Sequence, residues 1–461
     1  MRTLVTAALP YANGSIHIGH LVEYCQTDMY VRALKGLGED ALFICAADTH
    51  GTPIELNAEK QGIAPFDLAM RYVEEQQKDF ARYDIHFDQY SHTHSETNRA
   101  LVNEVYETLK AKGHIYTREV DGMWDEKAQR FLPDRFVRGT CPACKTPDQY
   151  GDVCENCKST YSPRDLIDPK SVITGTTPVI RATEHVFFRL SDEEHVSFLR
   201  EWTRSGAIQT DQANYVGDWI DKGLIDWDIS RDAPYFGFEI PDHKDQFFYV
   251  WFDAPLCYVA TSKEWGAANG VEFDTLWRDG KATQIEHVIG KDIVYFHTLF
   301  WPAVLRAAGL TVPKNVHVHG MLTVDGVKMS KSRGTFIKAS VFADHVDPQA
   351  LRFYFASKYG SGSEDLDLSL DDFITRINAE LVNKHANLFS RAAQFLNRNL
   401  EGRLSALPFA QAEAQEEGES DQELLNLARE VVRRGRAIEK HYRNREFAMA
   451  LRELGAIADV G

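Results

Sequence analysis

The stretch that decides the fold is residues 3–20, which read TLVTAALPYANGSIHIGH. Residues 3–9 are rich in strand-forming types, Gly14 interrupts the run, and apolar residues then recur at helical spacing until Gly36. This pattern predicts a strand, a turn and a helix.

A second strand is predicted at residues 41–47, which read ALFICAA and end at Asp48. Its unbroken apolar run is typical of a parallel sheet that is covered on both faces, and a further helix is expected after Pro53. Two strands with a helix between them form a βαβ unit. We therefore predict a Rossmann-type, doubly wound α/β fold that binds its ligands beyond the carboxyl ends of its strands.

The pattern of residues changes twice along the rest of the chain. An insertion with clustered cysteines and several prolines interrupts the α/β pattern, strand signals return at residues 246–252, 284–289 and 316–318, and a helical pattern prevails from about residue 368. The predicted segments are the two halves of the α/β domain at 1–112 and 230–320, the insertion at 113–229, a loop and linking stem at 321–367, and a helical domain at 368–461.

Composition limits the class of protein. The 461 residues suffice for about three domains, and 44% hydrophobic with 26% charged residues exclude a disordered chain. The net charge of −17 opposes non-specific binding to nucleic acid. We find no secretory leader, and the most apolar long stretch, 293–310, contains His297, Pro302 and Arg306, which a membrane span would not normally carry. We therefore expect a cytoplasmic enzyme.

Four of the seven cysteines form two Cys-x-x-Cys turns that are separated by nine residues: Cys141, Cys144, Cys154 and Cys157. Four thiolates at this spacing can surround one tetrahedral ion and leave no open position for water, so we predict structural Zn²⁺ in a knuckle at about residues 138–160. An iron–sulfur centre and four reduced thiols packed as small hydrophobes are the alternatives.

The tetrapeptide His17-Ile18-Gly19-His20 stands where the first helix begins. Free backbone N–H groups and the positive end of the helix dipole favour a phosphate there, and Gly19 allows a nucleotide to lie close to the backbone. Capping and packing are the alternative roles for two histidines at such a position.

A second candidate phosphate site is Lys328-Met329-Ser330-Lys331-Ser332, followed by Arg333-Gly334. Two ammonium groups in such a loop can neutralise charge on a triphosphate, although a solvated basic turn would look the same in isolation. The two motifs lie about 310 residues apart, one on the first βαβ crossover and one just after the last predicted strand. Their order and context make a chance match improbable.

These motifs resemble the two signatures of the class I aminoacyl-tRNA synthetases, and both are matched without substitution. Segments 8–14, 48–53, 251–255 and 290–292 are similar to those of the methionine-specific members. The resemblance implies a ligase that converts L-methionine and ATP, as its Mg²⁺ complex, into methionyl-adenylate and pyrophosphate, and then transfers the methionyl group to tRNA(Met). It also implies transition-state roles for His17, His20, Lys328 and Lys331.

The same resemblance implies the substrate contacts. The residues expected around methionine are Leu9, Tyr11, Asp48, Trp251, Ala254, Pro255, Tyr258, Phe296, His297 and Trp301, with Asp48 facing the ammonium. Those expected on the ATP side are Asn13, Gly19, Lys291, Asp292, Ser330 and Ser332. A thioether makes favourable contacts with aromatic rings, which agrees with this set, although aromatic residues of this kind also form ordinary cores.

The helical region is expected to bind tRNA. Periodic segments at 379–396 and 424–454 flank an acidic connection at 411–423, and residues 431–455 hold seven basic against three acidic side chains. The resemblance makes Asn383, Asn387 and Arg391 contributors to anticodon recognition. It also implies a further tryptophan-containing stretch beyond Gly461, so we expect an incomplete anticodon-binding domain and a monomer.

Three other functions compete with this interpretation. A sister synthetase for leucine, isoleucine, valine or cysteine would share both motifs, and a tRNA-independent nucleotidyltransferase would share the fold. A non-catalytic nucleic-acid-binding module built on the knuckle would need neither phosphate motif.

Overall fold

The structure, a computed structural model, describes residues 1–151, 154–157, 159, 161–329, 336–403 and 419–460. Ser330, Lys331 and Ser332 therefore lie outside the described residues, as does most of the acidic connection predicted at 411–423.

The amino-terminal part alternates strands and helices, as the sequence predicts. Its elements are β1 (Arg2–Ala7), α1 (Ile18–Gly36), β2 (Ala41–Ala47), α2 (Thr52–Gln61), α3 (Pro65–Arg82), β3 (Gln89–His92) and α4 (Glu96–Ala111). The strands β1, β2 and β3 lie side by side and parallel. Pro53 stands in the first turn of α2, where the missing N–H of proline costs no helical hydrogen bond.

An antiparallel region follows. Its elements are β4 (Ile115–Asp125), β5 (Arg130–Phe131), β6 (Val137–Thr140), β7 (Gln149–Tyr150), β8 (Ile167–Ser171), β9 (Val179–Phe188), α5 (Glu193–Arg204), α6 (Thr210–Lys222), β10 (Trp227–Asp228) and β11 (Ser230–Asp232). The long pair β4 and β9 forms the centre of a sheet with the order β10-β9-β4-β5, and a separate small sheet has the order β7-β6-β8. The four clustered cysteines lie beside this small sheet.

The parallel sheet then resumes. The next elements are β12 (Gln246–Phe248), α7 (Val250–Asn269), α8 (Phe273–Trp277), β13 (Thr283–Gly290), α9 (Trp301–Ala308) and β14 (Asn315–His319). Because β13 pairs with the free side of β1, the five parallel strands have the order β14-β13-β1-β2-β3. The strand order reverses between β1 and β13, and such a switch point opens a crevice at the carboxyl ends of the strands.

The strand predicted at residues 246–252 is wrong beyond Phe248, because α7 begins at Val250. This helix is buried on most of its surface, so its apolar residues show no helical period. A short apolar run of this kind cannot be distinguished from a buried strand by periodicity.

The carboxyl-terminal part is mainly helical. Its elements are β15 (Leu322–Val324), β16 (Val327–Lys328), α10 (Ala339–His345), α11 (Pro348–Lys358), β17 (Leu366–Leu368), α12 (Leu370–Arg376), α13 (Asn387–Asn399), α14 (Glu419–Arg443) and α15 (Phe447–Val460), with a π-helical stretch at Ile377–Ala386. The single periodic segment predicted at 424–454 is two helices, because Arg445 adopts a φ of 57° and ends the run.

Side chains of the central strands alternate between two apolar cores. Leu4 and Leu42 pack in a core with residues of α4, α7 and α9, whereas Val5 and Phe43 pack in a core with residues of α1 and α11. Both sheet faces are therefore covered, and ligands can reach the sheet only at its strand ends. Within the described part of the chain, none of the helices has the length and apolar character that a membrane span requires.

Candidate active site

The two histidines of the first motif form the start of α1. The Nδ1 atom of His17 accepts a hydrogen bond from the Gly19 backbone N–H at 3.1 Å, and that of His20 accepts from the His17 backbone N–H at 3.0 Å. A neutral imidazole that accepts at Nδ1 carries its proton on Nε2. Burial, assisted by His17, lowers the pKa of His20 to about 3 and keeps this ring neutral. Both rings are thus arranged as Nε2–H donors at a helix amino terminus, which suits phosphoryl oxygens.

Two residues of the segment that carries the second motif, Met329 and Phe336, contact the first motif. A Cβ atom at Gly19 would overlap the side chain of Met329 and lie 2.9 Å from the His17 ring. The Phe336 ring contacts the His17 imidazole with centroids 5.0 Å apart. Met329 and Phe336, which precede and follow residues 330–335, therefore both lie at the start of α1, and residues 330–335 lie outside the described residues.

Asp365, which the sequence analysis missed, pairs with Lys291 and feels the charge of Lys328. The Nζ atom of Lys291 lies 2.5 Å from Asp365 Oδ1. Burial opposes ionisation of this carboxyl, but the bond to Lys291 and the charges of Lys291 and Lys328 lower its pKa. Asp365 therefore holds positive charge at the carboxyl edge of the sheet.

Glu23 is another residue that the sequence analysis missed, although it lies one turn beyond His20 and the helical period could have revealed it. One carboxylate oxygen accepts from the Ala8 N–H, and the other lies 3.1 Å from His319 Nε2. Burial raises the pKa of Glu23, and the charge of the predicted ATP-side residue Asp292 adds to this shift. These groups join the carboxyl ends of β1, β13 and β14.

Asn13, another predicted ATP-side residue, accepts a hydrogen bond from Asn57 of α2 at 2.9 Å. It also lines a cleft between α2 and the small sheet β7-β6-β8, together with Lys60, Arg138 and Lys170. Asn13 thus lies where the parallel-sheet region faces the insertion.

Most of the predicted methionine contacts come together. The rings of Trp251 and Phe296 stack with centroids 3.9 Å apart and an angle of 2°. His297 Nδ1 donates to the Ile293 carbonyl at 3.2 Å, so its Nε2 accepts from the Tyr258 hydroxyl at 3.1 Å. Burial lowers the pKa of His297 to about 4, so this cluster of rings is neutral.

The remaining apolar contacts border the same region. Ala254 and Pro255 are buried in the first turns of α7, and Leu9 packs on the core that contains the neighbouring Phe252 and Leu256. Trp301 is buried and donates from its indole N–H to His287 Nε2 at 3.0 Å. His287, which no sequence motif indicated, fixes the Trp301 ring.

Asp48 places a carboxyl beside Tyr11. The Asp48 N–H donates to the Pro10 carbonyl at 2.9 Å, and the Ala12 N–H donates to the Asp48 carbonyl at 2.7 Å. Burial, followed by the charge of Asp253, raises the pKa of Asp48 well above its ordinary value. A ligand with a positive charge would stabilise the ionised form of this carboxyl, which burial disfavours.

Sequence reasoning also missed His50 and Asp253. They are 203 residues apart, and the structure brings His50 Nδ1 to 2.6 Å from Asp253 Oδ2. Both residues are fully buried.

The four clustered cysteines fit a tetrahedral ion. Their Sγ atoms lie within 4.8 Å of one another, with Cys141–Cys157 at 3.8 Å and Cys144–Cys154 at 3.5 Å. A tetrahedral zinc site with Zn–S bonds of about 2.3 Å has S–S edges of about 3.8 Å. The Cys144 and Cys157 N–H groups donate to the sulfurs of Cys141 and Cys154, which stabilises thiolates. These four residues could therefore hold a metal ion.

The predicted anticodon contacts lie on one continuous helical stretch. Asn383 is in the π-helical stretch, Asn387 begins α13, Arg391 lies one turn later, and all three are exposed.

The basic region at 431–455 is less positive than its sequence implies. Arg433 pairs with Glu430, Arg434 pairs with Glu453, and Arg443 pairs with Glu39 and Glu439. Arg445 lies near Glu286, where burial opposes ionisation but the hydrogen bond to His317, with a smaller effect of the Arg445 charge, lowers the carboxyl pKa. The exposed basic side chains of this region outside these pairs are Arg436, Lys440 and Arg452.

Comparisons with known proteins agree with this geometry. The family model described as tRNA synthetases class I (M) matches residues 3–393. A structure of Mycobacterium tuberculosis methionyl-tRNA synthetase in complex with methionyl-adenylate is 26% identical with a TM-score of 0.77, and the match covers 100% of this chain and 82% of that one. A second structure of that enzyme bound by methionyl-adenylate is 25% identical with the same TM-score of 0.77, covering 100% and 83%.

Proposed function

Since the chain belongs to the class I tRNA synthetases, the family whose model matches residues 3–393, we propose that it is the member that joins L-methionine to tRNA(Met). The observation that carries this proposal is the contact between the two phosphate motifs. Met329 and Phe336, which flank segment 330–335, both pack on the His17–Gly19 turn at the crevice of the parallel sheet. Two motifs about 310 residues apart can thus act on one nucleotide.

The first step is the formation of methionyl-adenylate. The carboxylate of methionine attacks the α-phosphorus of ATP, and pyrophosphate leaves with the electrons of the broken P–O bond. No protein nucleophile is required, so the rate acceleration comes from positioning of the substrates and electrostatic stabilisation of the transition state. Donors on His17 and His20 meet the phosphoryl oxygens, and the ammonium groups of Lys328 and Lys331 stabilise the departing pyrophosphate.

Methionine is selected by an aromatic pocket. Trp251 and Phe296 form one stacked wall, and Tyr258 with His297 forms a neutral polar end. Sulfur–aromatic contacts favour a thioether in such a pocket. The buried carboxyl of Asp48 receives the α-ammonium.

The second step transfers the methionyl group to the terminal adenosine of tRNA(Met). We assign tRNA contact to the exposed Asn383, Asn387 and Arg391 and to the basic side chains of α14 that remain outside acidic pairs. One structural Zn²⁺ bound by Cys141, Cys144, Cys154 and Cys157 fixes the fold of the small sheet region and takes no part in the chemistry.

The decisive test is exchange of labelled pyrophosphate into ATP, measured without tRNA for each of the twenty amino acids. Methionine-dependent exchange is expected. Preference for leucine, isoleucine, valine or cysteine would identify a sister synthetase, and absence of exchange with every amino acid would contradict the proposal. Charging of tRNA(Met) with labelled methionine then separates a ligase from a tRNA-independent nucleotidyltransferase.

A further inference from the structure

Two carboxyl groups share one histidine at the carboxyl end of β2. Asp48 follows this strand, His50 lies two residues later, and Asp253 stands in the first turn of α7. Asp48 Oδ1 accepts from the His50 backbone N–H at 3.4 Å, and Asp253 Oδ2 lies 2.6 Å from His50 Nδ1. His50 therefore connects the predicted ammonium ligand Asp48 to a second carboxyl.

The His50 ring is held in a single orientation. Its Nε2 lies 2.8 Å from Nδ1 of His94, and the His94 ring stacks on Phe236 and Phe238 with centroids 5.1 and 5.2 Å apart. Burial, with the nearby charge of Arg99, lowers the pKa of His50 to about 3. Because both ring nitrogens are occupied and the ring is neutral, His50 can orient a neighbour but has no nitrogen left for a ligand.

Asp253 retains one unused oxygen. The residue is fully buried, and its Oδ1 atom has no hydrogen-bond partner among the described residues. In folded proteins almost every buried polar atom is paired, so an isolated carboxylate oxygen indicates a missing donor. The next two residues, Ala254 and Pro255, border the pocket assigned above to the methionine side chain.

A cationic donor suits this pair of carboxyls. Across the described part of the chain, neither Asp48 nor Asp253 forms a salt bridge with a lysine or arginine, and the pKa values of both are raised by burial. An alkylammonium group carries one positive charge and three N–H donors, so it can bond two carboxylates at once. Such a ligand would satisfy the unpaired oxygen and offset the buried negative charge.

We propose that Asp253 is the second carboxylate of the site that binds the α-ammonium of the amino acid, and that His50 is its positioning residue. The ammonium donates to Asp48 and to Oδ1 of Asp253, while His50 holds Oδ2. The inference rests on the proposed function, which supplies an amino acid as the ligand of this site.

The test compares three ligands for the wild-type protein and Asp253→Asn by calorimetry. Methionine and methioninol carry the ammonium, whereas 4-(methylthio)butanoic acid carries the same side chain without it. We expect Asp253→Asn to weaken the affinity for methionine and for methioninol by about 10- to 100-fold. The affinity for the desamino acid should stay within about threefold of the wild-type value. The matched control is Asp221→Asn, in an exposed ion pair between Asp221 of α6 and Arg200 of α5, and this variant should bind all three ligands normally.

Kinetics test the positioning role of His50. We expect His50→Leu to raise the KM for methionine at least as much as Asp253→Asn does, with the KM for ATP unchanged. His50→Asn retains an N–H donor close to the position of Nδ1 and should recover most of the loss. A merely structural role would impair ATP and methionine alike, with no recovery in His50→Asn.

An equal loss of affinity for all three ligands in Asp253→Asn, or unchanged binding of methionine, would overturn this inference. Methionine-dependent pyrophosphate exchange by the wild-type protein would then still support the proposed function. Failure of the wild-type protein to bind methionine would overturn both.

Discussion

The side chain of Met329 covers Gly19, so the second predicted phosphate motif begins in contact with the first turn of α1. A Cβ atom at this glycine would also lie 2.9 Å from the imidazole of His17. The absence of a side chain at this position therefore lets two distant parts of the chain close around the same crevice.

Replacement of this glycine should impair adenylate formation. Gly19→Ala forces the His17 ring or the Met329 side chain to move, and displacement of catalytic groups by about 1 Å can cost about 100-fold in rate. We expect pyrophosphate exchange to fall by about 10- to 100-fold with little change in stability. Gly36→Ala is the control, because a Cβ there meets open space on the same helix. Equal activity of the two variants would contradict the assignment.

Lys331 should be essential for the first step, although it lies outside the described residues. An ammonium group aimed at departing pyrophosphate acts mainly in the transition state, so Lys331→Ala should lower the single-turnover rate of adenylate formation by about 100- to 1,000-fold. Methionine binding, measured by calorimetry, should change little. Lys78→Ala, at an exposed site on α3, is the control. Comparable losses of rate and of methionine affinity would argue against this role.

The cysteine cluster should bind one zinc ion per chain. Elemental analysis of the purified protein is expected to find zinc, and Cys144→Ser combined with Cys157→Ser should abolish it, because oxygen is a poor substitute for thiolate in a closed four-sulfur site. Limited proteolysis should then cut first near residues 138–160. Full zinc content in the double variant, or simultaneous cleavage throughout the chain, would be inconsistent with a local structural metal.

His185 should make the free energy of unfolding decrease as the pH rises into the alkaline range. Its Nδ1 lies 2.6 Å from Asp228 and its Nε2 lies 3.0 Å from Asp232. Burial opposes the charge of this imidazole, but the two carboxylates more than offset it and raise its pKa to about 9. Because the folded pKa lies above the unfolded value of about 6.5, the stabilisation is complete below about pH 6.5 and is lost as the pH rises through about 9.

Urea unfolding of the insertion, followed by tryptophan fluorescence between pH 6 and 10, measures this effect. The imidazolium should contribute about 3 kcal/mol at the acidic end, and His185→Gln should remove most of the decline between pH 7 and 9. An unchanged pH profile in His185→Gln would mean that other groups control alkaline stability.

The aromatic pocket should discriminate imperfectly against homocysteine. An apolar pocket gains only about 1 to 3 kcal/mol from one additional methyl or methylene group. We therefore expect homocysteine to support pyrophosphate exchange with a kcat/KM about 10- to 200-fold below that of methionine. No detectable exchange with homocysteine would indicate a more specific contact to the thioether than the proposed aromatic pocket supplies.

Much of the fold follows from local sequence patterns. The βαβ unit at the amino terminus, the return of the sheet at β13 and β14 and the helical carboxyl-terminal region were predicted correctly, because each depends on hydrophobic periodicity over short windows. The errors arose where burial removed the period, as in α7, or where one residue in a left-handed conformation ended a helix, as at Arg445.

The sequence by itself determined the two signature motifs of the family, the four-cysteine cluster and the class of fold, because each is a pattern of neighbouring residues. Only the tertiary structure decided that Met329 lies on Gly19, that Glu23 meets His319, and that His50 holds Asp253. These contacts join residues tens to hundreds of positions apart at the carboxyl ends of parallel strands. Their strength comes from burial and from hydrogen-bond geometry, and neither quantity is defined until the sheet has brought its strand ends together.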